Sequence, residues 1–217
     1  MRILFNRSTP EETTRSREAI LRIQAERDLL LEKLRNEGDI LRSIESEMTL
    51  LRNAIDALRP WETRQRLAES LRELVFRAFD LSGFSVLEVD ETAKRITCLH
   101  YFEAGTARHY APRDYEKDPG LSGCVIHQRR SLYLRTLAEA EALGAVHSPP
   151  ELATGLVPST YYGIPLFAET RIIGVLAFMS YPQDDFAPSR RILMDSLGRL
   201  LANAFYCSSW DDQRRSI

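Results

Sequence analysis

Thr160–Met179 reads TYYGIPLFAETRIIGVLAFM, and the reading of this stretch decides the fold. Two apolar runs, YYGIPLF (161–167) and IIGVLAFM (172–179), flank the polar turn Ala168-Glu169-Thr170-Arg171. Val, Ile, Tyr and Phe dominate both runs, and such side chains suit a pleated, buried surface. A polar break of about four residues is hairpin length. The stretch therefore reads as two adjacent antiparallel strands at the centre of a sheet. Gly163 and Gly174 weaken a strand unless something approaches the backbone closely, and Pro165, lacking an N–H, must face an irregular or open edge.

Working outward, a helix follows over Pro188–Tyr206, with an apolar stripe of Ile192, Leu193, Leu197, Leu200, Leu201, Ala204 and Phe205. The tail SSWDDQRRSI (208–217) reads as disordered or as a short helical extension. Upstream, Glu62–Phe79 carries Leu67, Leu71, Leu74, Val75, Ala78 and Phe79 on one helical face. Strands are expected at 84–89, 95–102 and 132–135, and short helices at 121–128 and 137–143. On 95–102, alternation places Ile96, Cys98, His100 and Phe102 on one face and Thr97, Leu99 and Tyr101 on the other. Residues 103–119 and 144–158 read as long loops, a class that is functional or mobile in compact domains. The expected fold is α+β: an antiparallel sheet of about five to six strands, terminal helices on one face, loops and short helices on the other.

The N-terminal quarter has a different texture. Residues 1–10 read as a flexible leader, and Thr9-Pro10-Glu11-Glu12 as a helix start. From Glu11 to Leu58 there is no further Pro and only one Gly. A heptad with Ile20 at a places Ile20, Arg27, Leu34, Leu41, Met48 and Ile55 at a, and Ile23, Leu30, Glu37, Ile44, Leu51 and Leu58 at d. An apolar seam sustained over about five heptads is a coiled-coil pattern, and the helix would be about 70 Å long. Asn36-Glu37-Gly38-Asp39 offers a rival, a turn that folds the segment into a helical hairpin. The register passes through Gly38 unshifted, which favours the continuous helix; one Gly costs a helix only about 1 kcal/mol. In a parallel homodimer, Glu47 at g would face Arg52 at e of the other copy. The expected organisation is leader 1–10, coiled-coil helix 11–59, globular domain 60–207 and tail 208–217, with Pro60-Trp61 as the junction.

The 217 residues carry a formal charge of −2, which gives no global bias toward nucleic acid or anionic lipid. The arginine pairs 129–130, 190–191 and 214–215 have acids nearby and read as solvated faces. Cys98, Cys124 and Cys207 have no paired spacing and no signal peptide precedes them, so the expectation is a reducing cytoplasm. No apolar run approaches the ~18 residues of a membrane span.

The hairpin, with its tyrosine-rich approach, "GIPLF", charged turn and "IIGVLAF", resembles the signature hairpin of GAF domains. "DPGLSGCVIHQRRSLYLRT" (118–136) is similar to the family's glycine-punctuated helix leading into a short strand. "DDFAPSRRILMDSLGRLLANAF" (184–205) is similar to its closing helix. The resemblance covers roughly residues 62–207. It implies an α+β sensory or regulatory domain whose ligand, where one exists, lies between the sheet and a layer of loops and short helices. Here that layer is 103–160, and the residues the resemblance places at it are His109, Tyr110, Tyr115, Cys124, His127, Tyr161 and Tyr162, with Cys98 and His100 if their strand face points there.

Specific family chemistries fit poorly. Cyclic-nucleotide-binding members follow a Phe with Asp-Glu four residues on, whereas Phe186 precedes Ala-Pro-Ser-Arg-Arg. Bilin-binding members use a Cys followed directly by His, which none of the three cysteines has. Members that reduce free methionine sulfoxide place a Cys before a glycine near residue 120, whereas Cys124 follows Gly123. Cys124 and His127 share a helix face and are at most half a metal site or an activated thiol. No catalytic residue, metal set or cofactor is assigned, and haem ligation by a layer histidine stays open. The sequence thus points to a non-enzymatic cytoplasmic module, homodimeric through Ile20–Leu58, acting on a downstream partner or fused output. The alternatives are a redox enzyme using Cys124 and a scaffold whose pocket is filled by its own side chains.

Overall fold

A computed structural model of the chain describes residues 10–103, 105–145, 159–180 and 186–215. The expected leader, apart from Pro10, lies outside the described residues, as do the Pro149-Pro150 part of the second loop and the side chain of Ile20. The chain divides into two compact units, Met1–Met48 and Thr49–Ile217.

Helix α1 runs Pro10–Ala57 without interruption, so Gly38 is an ordinary helical residue and the hairpin reading is set aside. Within the first unit the apolar side chains are wet: Ile23, Leu30, Leu34, Leu41, Ile44 and Met48 are all exposed. In the second unit the last turns of α1 differ. Leu50, Ala54 and Leu58, spaced four apart and thus on one stripe, are buried in the core of the same chain, and Leu51 packs beside them. The sequence assigned Leu51 and Leu58 to a dimer seam. The fold uses them on its own domain instead, while Ile55 stays exposed.

Helix α2 is Arg64–Ala78, capped where the Thr63 hydroxyl accepts the Arg66 N–H at 3.3 Å, and it buries Leu67, Ala68, Leu71 and Val75. Strands β1 (Gly83–Asp90), β2 (Arg95–Glu103), β3 (Thr106–Arg108) and β4 (Arg113–Asp114) follow, then α3 (Gly120–Gln128), β5 (Leu132–Leu134), α4 (Leu137–Ala142), β6 (Thr160–Ala168), β7 (Arg171–Ser180) and α5 (Pro188–Arg215). The sheet has seven strands in the order β3-β2-β1-β7-β6-β5, with β4 also on β2, and every pairing is antiparallel. The expected five to six strands miss β3 and β4, which are three and two residues long and polar. Helix α5 continues past Tyr206 to Arg215, so the tail is largely helical. In its stripe Met194 is buried, and Ile192, which the periodicity placed inside, is 67% exposed.

The two sheet faces carry two cores. α2, α5 and the end of α1 cover one, over Phe84, Val86, Tyr162, Ile164, Leu166, Leu176 and Phe178. The other carries Leu87, Val89, Tyr161, Val175, Ala177 and Met179 under α3 and α4. Two bulges reverse the alternation. On β2, His100 pairs with Val86 and Cys98 with Leu87, leaving Leu99 unpaired. On β7, Gly174 pairs with Leu166 and Ile172 with Phe167, leaving Ile173 over. An extra residue sends the side chains beyond it to the other face. Pro165 sits on β6 beyond the reach of β5, which ends opposite Gly163, so its missing donor faces an open edge. Among the described residues no helix is long and apolar enough to cross a membrane.

Candidate functional site

The candidate site lies between the sheet face carrying Tyr161 and the α3–α4 layer. Helix α3 is held tightly at both ends. Gly123 lies against its own N-terminal turn, where a Cβ would come within 2.5 Å of Pro119. The helix ends at Arg129 in the left-handed region (φ 53°), with the backbone N–H bonded to the carbonyls of Val125 and Ile126. This presents Leu121, Cys124 and Val125 to the sheet.

Tyr161 is the central polar group of the layer. Its ring lies along β6 over Gly163: a Cβ there would fall 2.5 Å from the Tyr161 hydroxyl and 2.8 Å from Val125 Cγ2. Gly163 is therefore the close approach that its position in a strand implies. The hydroxyl is buried beside Ser122 without a hydrogen bond of standard geometry. Burial pushes the phenol well above its ordinary range, so it stays protonated as a donor. Such an orphaned buried hydroxyl calls for an explanation. Cys124 is half-buried and its thiol donates to the Leu143 carbonyl at 3.6 Å. Cys98 faces the same core, and burial raises its thiol. Tyr115 is buried below the layer, its amide bonded to the Lys94 carbonyl at 3.1 Å. Toward β3, Tyr101 meets Tyr110 edge to face at 4.9 Å, and the wholly buried Glu103 pairs with Arg108 at 3.6 Å.

The structure thus brings together Tyr115, Cys124 and Tyr161, with Cys98. Tyr162 does not belong: adjacent strand residues point to opposite faces, and Tyr162 faces α5, where its hydroxyl donates to Asp195 Oδ1 at 2.9 Å. Burial, then the Asp195 carboxylate, push its phenol up to about 12. His100 is also on the helical face, sent there by the Leu99 bulge and packed against Phe84. His109 is exposed, as is Tyr110 beyond its contact with Tyr101. His127 is exposed on α3, its ring 5.7 Å from that of Tyr115. Cys124 turns inward while His127 stays out, so they form no joint site. Among the described residues no group of three or more His, Cys, Asp or Glu is placed to hold a metal ion. Sequence reasoning missed Ser122 and Tyr101. Ser122 carries no periodic signal of a site, and Tyr101 reaches this face only because of the bulge.

The layer gathers the Tyr161 hydroxyl and the Cys124 thiol in an apolar surround, with the Glu103–Arg108 pair toward the β2–β3 side. A family model described as "GAF domain" matches residues 62–205. Among solved structures, the chain is similar to the GAF domain of an Acinetobacter phosphoenolpyruvate-protein phosphotransferase (TM-score 0.62, 14% identity, covering 73% of this chain and 92% of that one). It is similar to the corresponding domain from Coxiella burnetii (0.62, 15%, covering 78% and 98%). It is also similar to free methionine-R-sulfoxide reductase from Neisseria meningitidis in complex with its substrate (0.54, 16%, covering 80% and 90%). Among curated proteins, none matches the chain.

Proposed function

The chain belongs to the GAF domain family, and from that premise we propose that it is a regulatory module, homodimeric through a parallel coiled coil of α1, that binds a small molecule in the α3–α4 layer. The reading rests on one observation above the others: an apolar stripe from Ile23 to Met48, with Ile23 65%, Leu34 64% and Met48 63% exposed, on a helix that continues into the domain core through Leu50, Ala54 and Leu58. A helix this long with a wet seam gains stability when a second copy covers it. The same helix ends in the core shared with α2 and α5, so a ligand that favours one packing of the terminal helices biases the twist or register of the seam. A ligand with equal affinity for both states would transmit nothing. The output acts through a partner protein or a fused domain, in the cytoplasm.

The orphaned Tyr161 hydroxyl supports a ligand rather than a purely self-filled core. A redox enzyme built on Cys124 is the weaker reading: the thiol is half-buried and donates to the Leu143 carbonyl at 3.6 Å, while the neighbouring His127 is exposed. Native mass spectrometry of gently purified protein tests the proposal. A dimer retaining a small molecule is expected, with the molecule lost in Tyr161→Phe. A bare polypeptide at every preparation would remove the sensing role.

A further inference from the structure

A cavity of about 500 Å³ opens on the helical face of the sheet, at the end formed by the β1–β2 turn, the start of β7, the first turn of α2 and Tyr206 of α5. Strand alternation brings Glu88, Asp90, Arg95 and Thr97 to this face, and the bulge at Ile173 brings Arg171 there as well. The carboxylates of the lining are already engaged. Glu88 pairs with Arg64, whose guanidinium also donates to the Phe205 carbonyl at 3.4 Å. Asp90 Oδ1 accepts the N–H groups of Thr92 and Ala93, each at 2.9 Å. Glu91 accepts Arg129 at 2.7 Å and the Ile172 N–H at 3.0 Å.

Two cations of the lining are not so engaged. The side chains of Arg95 and Arg171 are exposed and, among the described residues, have neither an ion-pair nor a hydrogen-bond partner. They open β2 and β7, the strands on either side of β1, and both line the cavity. A guanidinium grips a phosphoryl group by two oxygens at once. Two such arginines lining one cavity from strands on either side of β1 match two linked phosphoryl groups better than one. A longer polyanion would meet the surrounding acidic rim, and the chain's net charge of −2 gives no general attraction to nucleic acid.

We propose that this cavity binds a small molecule carrying a diphosphate, with one phosphoryl group on Arg95 and the other on Arg171. The site is on the opposite face from the α3–α4 layer and stands independently of that layer's function. Occupancy joins the first turn of α2 to the strand ends and to α5.

The test is a titration of the full ¹⁵N-labelled chain with inorganic pyrophosphate at low salt, followed by amide shifts. Shifts at Thr92, Arg95 and Arg171 are expected, with affinity falling as salt rises. Arg95→Ala and Arg171→Ala, at exposed positions, should keep the folded spectrum and each weaken binding at least tenfold, and Arg171→Lys should weaken it less. Tyr161→Phe should leave the affinity unchanged, which separates this site from the layer. Adenosine diphosphate binding tighter than pyrophosphate would name a nucleotide as the source; equal affinity would name the diphosphate group itself. Orthophosphate binding as well as pyrophosphate, or no shift at those amides, would overturn the proposal.

Discussion

The Tyr162 hydroxyl donates to Asp195 Oδ1 at 2.9 Å, and Ser131 donates to the same oxygen at 3.1 Å. One carboxylate thereby ties the central hairpin and the approach to β5 onto α5. Removing it strands a buried phenol, whereas removing the hydroxyl alone leaves an acid that still holds Ser131. Asp195→Ala should therefore cost about 1–3 kcal/mol and Tyr162→Phe about 0.5–1.5 kcal/mol, read from urea midpoints at constant slope.

His100 gives the fold a pH dependence of definite sign. Burial first, then Arg72 on α2, hold its pKa below the ordinary 6.5; Glu69 opposes them and His109 adds least. The folded state keeps the ring neutral while the unfolded chain takes up a proton below about 6.5, so stability falls as pH drops through that value. Chemical denaturation at pH 7 and 5.5 should show this loss, and His100→Leu should flatten it. An imidazole that titrates by NMR at or above 6.5 would contradict the assignment.

The two hairpin glycines should differ in tolerance. A Cβ at Gly174 meets the Leu87 backbone carbonyl at 2.6 Å, which cannot move without breaking the β1–β7 ladder. At Gly163 it meets the Tyr161 ring and Val125 side chain, which can yield. Gly174→Ala should destabilise by about 1–3 kcal/mol and Gly163→Ala by less. Gly163→Ala should nonetheless disturb Tyr161, visible as a changed near-ultraviolet circular dichroism spectrum.

The hairpin and its glycines were legible because two β-branched runs around a polar turn have few other homes, and the closing helix because its stripe keeps one period. The limits have physical causes. A bulge adds one residue without changing composition, so Cys98 and His100 read as neighbours on one face when Leu99 separates them. The resemblance places both Tyr161 and Tyr162 at the layer, although adjacent strand positions face opposite ways. Leu51 and Leu58 carry the same seam signal as Leu34, because a heptad cannot say whether the surface it meets belongs to another copy or to the same chain. β3 and β4 are too short to carry a pattern.

The cysteines should react in order of exposure. Cys207 is exposed, Cys124 is half-buried and hydrogen-bonded, and burial raises the Cys98 thiol. A disulfide-exchange reagent at neutral pH should label Cys207 first and the other two at least tenfold more slowly, as access requires for both and the raised thiol requires for Cys98. A Cys124 faster than Cys207 would revive the redox reading.

The account depends most on the seam from Ile23 to Met48 being covered by a second copy. Sedimentation equilibrium at micromolar concentration measures this directly. The expected result is a dimer of the 24.9 kDa chain that Leu34→Lys with Leu41→Lys converts to a folded monomer. A wild-type chain that sediments as a monomer throughout that range would contradict it.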